Sequence, residues 1–269
     1  MRVYISSDIE GTCGLCGFAE TDPDNPCSRY FREQMTREVA AAVLGAQKGG
    51  ADDIFVKDTN YTGRGLIPDM LPPKISLMRG NANDIYAMMS GINVRRFDAV
   101  MMTGYHSPAK DDANPLAHNA VRHIETLKIN GEIAGEFALN AYTAGYFDIP
   151  ISFISGDKGI CDMASELIPG IITVPVQEGF GGATVSISPS EAVSLILENS
   201  EKSVKDGYYK KCNVKMPESF EIGVSYESRV EAYRNSFYPG VIQVAPKKIR
   251  FKSTNYLDVL RFIHFCING

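Results

Sequence analysis

Apolar positions along this chain follow two alternating rhythms. Short runs rich in β-branched and other apolar residues fall at 2–7, 54–56, 75–78, 98–103, 151–154 and 171–176, and read as strands. The run at 98–103 carries the most continuous apolar stretch, Ala99-Val100-Met101-Met102. Between the runs the spacing turns helical. From Ser28, Phe31, Met35, Val39, Val43 and Ala46 recur every three to four residues until Gly49-Gly50 stops them, which predicts an amphipathic helix. Further helical stretches are predicted at 85–90, 136–146, 163–167 and 191–204. Residues 127–133 read as a hairpin turning on Asn130-Gly131.

Strands alternating with helices predict an α/β fold, a three-layer sandwich with a mostly parallel central sheet. The rhythm changes after about Gly207. Residues 220–226 and 241–251 read as antiparallel strands, with helices near Val230 and over 256–265, so a smaller α+β C-terminal lobe is expected. The predicted division is a larger α/β domain over 1–206 and the lobe over 207–269.

Composition narrows the class. Of 269 residues, 44% are hydrophobic and 22% charged, which is ordinary for a folded chain and argues against extensive disorder. No apolar run approaches the roughly 18 residues of a membrane span, and no signal-like segment opens the chain, so a soluble cytoplasmic protein without a membrane partner is expected. A net charge of −5 gives no reason to expect nucleic acid. The basic residues Lys247, Lys248, Arg250 and Lys252 alternate with Ile249 and Phe251 as the wet face of a strand would. Six cysteines are too dilute for a disulfide scaffold, and Cys13-Gly14-Leu15-Cys16 lies in a loop, so free thiols are expected.

Candidate chemistry gathers at strand ends, because open α/β sheets bind ligands beyond the carboxyl ends of their strands. Asp8 and Glu10, Asp58 and Asn60, His106, and Asp157 stand at such ends. Asp8 and Glu10 are two apart, so an extended backbone places both on one face, where ionised carboxylates repel unless a cation intervenes. A turn or helix cap is the structural alternative. His106 follows the most apolar strand directly, and the polar stretch after it argues against burial. His118 and His123 follow closely, and His123 and His264 read as packing residues. Carboxylates with imidazoles suit zinc or a similar divalent ion. Glu136 opens a helix, where it favours the macrodipole, and its neighbours do not by themselves select a ligand role. A flavodoxin-like cofactor binder is disfavoured because no glycine-rich phosphate loop follows the first strand.

Taken in order, Ser7-Asp8-Ile9-Glu10-Gly11, Gly104-Tyr105-His106, His118, Gly135-Glu136-Phe137-Ala138-Leu139-Asn140 and Ala144-Gly145-Tyr146 resemble the D-aminopeptidase family of dinuclear zinc peptidases associated with dipeptide-transport operons. The similarity runs through at least residues 1–180. It implies zinc, one or two ions per subunit, with Asp8 bridging, Glu10 completing one position, and His106 and Glu136 the other. It also implies a catalytic histidine at His118, hydrolysis of short peptides with an N-terminal D-amino acid, and a ring-shaped homo-oligomer, typically a decamer. One position departs: where the family pattern has Asp-Ser-His, this chain has Asp58-Thr59-Asn60, so Asn60 offers an amide oxygen in place of an imidazole. That departure favours the alternative of a catalytically inactive peptide- or metal-binding homologue. The joint retention of Asp8, Glu10, His106, His118 and Glu136 favours an enzyme, with hydrolysis assisted by the metal and His118 shuttling a proton.

Overall fold

Residues 2–7 send side chains into two different cores. Val3 and Ile5 join Val39, Val43 and Ile196 in one buried cluster, while Tyr4 joins Val100, Met102 and Phe137 in another. A strand buried on both faces belongs inside a parallel sheet covered by helices on each side. A computed structural model, which describes residues 1–60, 62–119, 121 and 123–267, has that arrangement.

The elements of the first half are β1 (Arg2–Ser7), α1 (Arg29–Lys48), β2 (Asp53–Asp58), β3 (Ile75–Met78), β4 (Ala99–Tyr105), β5 (Ile124–Ile129), β6 (Glu132–Ala134) and α2 (Glu136–Tyr146). Then come β7 (Ile151–Asp157), α3 (Lys158–Leu167), β8 (Ile172–Phe180), β9 (Ala183–Ser186) and α4 (Pro189–Val204). The chain finishes with β10 (Phe220–Tyr226), α5 (Arg229–Asn235), β11 (Val241–Ala245), β12 (Lys248–Ser253) and α6 (Tyr256–Cys266).

Seven strands form one sheet in the order β3-β2-β1-β4-β7-β8-β9, parallel except for the β8–β9 hairpin. Apolar faces of α1 and α4 pack on one side of it and those of α2 and α3 on the other, giving the expected three layers. Gly181-Gly182 is the turn of the β8–β9 hairpin, with Phe180 paired to Ala183. No helix among the described residues is long and apolar enough to cross a membrane.

A second, antiparallel sheet runs β11-β12-β10-β5-β6 and packs on α5 and α6 through Leu127, Ile222, Val224, Phe251 and Phe262. The division expected at residue 206 cuts across this sheet, because β5 pairs with β10. Local pattern sets the hairpin, with Asn130 and Gly131 both at positive φ, but its neighbour comes from far along the chain, as the Glu221 N–H donating to Asn130 Oδ1, 91 residues away, illustrates. The single strand expected over 241–251 is two, since Pro246 and Lys247 turn the chain between β11 and β12. The helix expected at 85–90 is a single 3₁₀ turn, Ala87–Met89.

Candidate metal centre and active-site cavity

β1 and β4 are adjacent, but the sheet continues from β1 toward β2 and from β4 toward β7, so their carboxyl ends flank the topological switch point. Asp8 and Glu10 leave β1 there in a turn closed by the Thr12 N–H donating to Ile9 O at 2.8 Å. They therefore meet through a turn and not through strand alternation. The turn is held against β4: Asp8 N donates to Thr103 O and Gly11 N to Gly104 O, both at 2.8 Å. Gly104 has φ +67°, and a Cβ there would overlap the Asp8 carbonyl, so the approach requires glycine.

His106 follows β4 and is only 4% exposed, against the expectation that its polar neighbours keep it in water. The cause lies at the end of β7. Asp157 Oδ2 accepts from Ser107 N at 2.7 Å and Asn114 Nδ2 at 3.0 Å, and Oδ1 accepts from Ser107 Oγ at 2.6 Å and Ile160 N at 2.8 Å. This buried carboxylate folds the loop after His106 inward, so Asp157 is an anchor of the site. Asn114 Nδ2 also donates to Glu10 O at 3.0 Å, joined there by Gln177 Nε2 at 3.2 Å. Asp58 is likewise committed locally, with Oδ2 accepting from Leu66 N at 2.8 Å.

The donor atoms of Asp8, Glu10 and His106 lie within 4.8 Å of one another, and so do those of His106, His118 and Glu136. His106 Nδ1 donates to Ser107 O at 2.8 Å, which leaves Nε2 with its lone pair in the neutral ring. That buried Nε2 lies 2.8 Å from Glu136 Oε2 and 3.7 Å from Asp8 Oδ2, yet makes no hydrogen bond of acceptable geometry. A lone pair facing carboxylate oxygens is repulsive unless a proton or cation stands between them. The titration tendencies follow. Burial lowers the His106 pKa, but Glu136, Asp8 and Glu10 override it and hold the ring well above its ordinary value. Burial, Glu10 and Glu136 push Asp8 up, whereas for Glu136 the pull of His106 outweighs burial and brings it down. Three carboxylates about one imidazole are the donor set of a divalent ion such as zinc, and the orphaned Nε2 fits one.

His118 stacks on His106 with ring centroids 4.4 Å apart and planes 8° from parallel, and Phe18 meets its ring edge-on at 5.6 Å. Its Nδ1 donates to Leu116 O at 2.9 Å, so in the neutral ring Nε2 carries the lone pair. Asn60 is fully buried. Its Nδ2 donates to Thr21 O at 3.1 Å, and its Oδ1 has no hydrogen-bond partner.

Asp8, Glu10, His118 and Glu136 line a cavity of about 820 Å³, with His106 and Asn60 behind its wall. His123 and His264, expected to be packing residues, line it too. Sequence reasoning missed a supporting layer: Ser6 Oγ and Tyr105 OH are 2.7 Å apart, and Asn140 Nδ2 donates to Tyr105 OH at 2.9 Å. Asn140 sits one helical turn beyond Glu136, a spacing that places it on the same face. Lys57 on the cavity wall was also missed.

A doubly wound sheet with a carboxylate–imidazole cluster at its switch point, beside a cavity, has the layout of an enzyme site with donors that could hold a divalent ion. The chain belongs to the D-aminopeptidase family, peptidase family M55, whose profile matches residues 1–265. It is 26% identical over 265 residues to the D-aminopeptidase of Bacillus subtilis (strain 168), covering 96% of this chain and 93% of that protein. Its fold is similar to the solved Zn-dependent D-aminopeptidase DppA from Bacillus subtilis, a self-compartmentalizing protease, with a TM-score of 0.90 and 24% identity over 100% of this chain and 97% of the other.

Proposed function

We propose that this chain is a zinc-dependent aminopeptidase that removes N-terminal D-amino acids from short peptides and works as a homo-oligomeric ring, a decamer by resemblance. The observation that carries the reading is the buried His106 Nε2, turned on Glu136 and Asp8, whose carboxylates line a peptide-sized cavity. Family membership over nearly the whole chain supports it, and the inactive-homologue alternative has no comparable support. Asp8, Glu10, His106 and Glu136 would hold the metal, with the Asn60 amide oxygen as a further donor. When bound, the ion supplies Lewis acidity that brings the pKa of water toward about 7 and polarises the scissile carbonyl.

His118 supplies the proton chemistry. Leu116 O fixes its tautomer, stacking on His106 fixes its plane, and Nε2 accepts a proton that it then delivers to the leaving amine. Asp157 and Asn114 keep the His106 and Glu10 backbones in place. Metal analysis of purified protein, run beside amino-acid release from D- and L-terminal dipeptides, tests the proposal. Zinc at one or two ions per subunit with release from the D-terminal dipeptide is expected. Absence of zinc binding, or release from L-terminal dipeptides alone, would overturn it.

A further inference from the structure

We infer that Lys57 binds the C-terminal carboxylate of the substrate and so selects short peptides with a free carboxyl end. The inference rests on the aminopeptidase reading and adds a specificity residue to it. Among the described residues lining the cavity, Lys57 is the only lysine or arginine, set against Asp8, Glu10, Asp84, Glu136 and Glu227. Such a cavity suits a peptide's ammonium end readily, whereas its carboxylate end needs a cation.

Lys57 is 1% exposed, and Nζ donates to Asp58 O at 2.7 Å and Gly80 O at 2.8 Å. An ammonium carries three donors, and the third has no acceptor among the described residues. Both partners are neutral carbonyls, so the buried charge lacks a bonded counter-ion, the situation a bound carboxylate relieves. Burial pulls the Lys57 pKa down while Asp58 and Asp84 oppose that pull.

Position sets the length of peptide. Lys57 is the register partner of Ser6, two residues before Asp8. With strands about 4.8 Å apart and a rise of about 3.3 Å per residue, the Lys57 and Asp8 Cα atoms are about 8 Å apart. A peptide residue spans about 3.5 Å, so a carboxylate one or two residues past the scissile bond falls within reach of the lysine.

The test compares D-alanylglycine with D-alanylglycinamide. Wild type should favour the free acid at least about tenfold through KM, the scale of one charge-assisted hydrogen bond. Lys57→Met should raise KM for the acid and bring the ratio toward one, and Lys57→Arg should restore part of it. Circular dichroism checks that each variant folds. If Lys57→Met does not fold, the wild-type ratio and competitive inhibition by glycine against glycinamide decide. A wild-type ratio near one would overturn the inference, and so would a variant with lower kcat on both substrates and an intact ratio, since Lys57 would then only tie Gly80 to β2. Hydrolysis of neither substrate by zinc-loaded wild type would instead overturn the aminopeptidase reading beneath it.

Discussion

His106 and His118 stack face to face, yet their hydrogen bonds give them different tasks. Each donates Nδ1–H to a main-chain carbonyl and keeps Nε2 free, but only His106 presses that nitrogen against two carboxylates. His106→Ala should therefore lower zinc occupancy sharply, whereas His118→Ala should keep the metal and lose at least about 10²-fold in turnover, the lower end for a lost acid–base group. Metal content and kcat measured on the same preparations separate the two. Equal metal loss in His118→Ala would make His118 a ligand, as its place in the triad with His106 and Glu136 allows.

At the scale of elements, α1 reaches the turn that carries Asp8 and Glu10 through a buried acid. Glu38 Oε1 accepts from Cys13 N at 3.1 Å and Gln34 Nε2 at 3.0 Å, while Oε2 has no partner. Burial pushes the Glu38 carboxyl up to about 7. In the unfolded chain it loses its proton near about 4.3, so between that pH and about 7 the folded state binds the extra proton and stability falls as pH rises. The gap corresponds to roughly 4 kcal/mol. Urea unfolding of wild type should show this decline across pH 4.5–7, and Glu38→Gln should make it shallower, with Asp8 and Asp58, also pushed up by burial, supplying the rest.

The same scale marks what was legible in the sequence. The helix over Glu136–Tyr146 and the strands Ile75–Met78 and Phe220–Tyr226 match the expected spans, because their periodicity is local. β9 escaped because it is four residues long and mostly exposed. The cluster residues were legible as strand-end carboxylates and imidazoles, and the resemblance gathered them into one set. The burial of His106 was not legible, since Asp157, fifty residues on, causes it. Nor does local spacing show that β5 finds β10.

Across the whole molecule both sheets end in open edges. β9 closes one side of the first sheet and β11 one side of the second. Phe180 and Val185 of the β8–β9 hairpin are 78% and 65% exposed, and Ile242 and Val244 of β11 are 56% and 50% exposed. Unpaired edges carrying apolar residues are aggregation-prone unless another surface covers them. Two unlike apolar edges on one chain suit a heterologous contact between copies, which closes into a ring when the rotation allows. Assembly would also limit access to the cavity. Ile242 is the register partner of Arg250, and Val244, in the bulge between Gln243 and Ala245, stands beside Lys248 and Arg250. Replacing both with lysine adds like charge to that basic face and removes the apolar contact. Light scattering at matched concentration should then show wild type as an oligomer and Ile242→Lys/Val244→Lys at lower mass, with circular dichroism unchanged. A monomeric wild type would remove the ring from the functional reading. An oligomer indifferent to the double substitution would exclude the β11 edge as its contact.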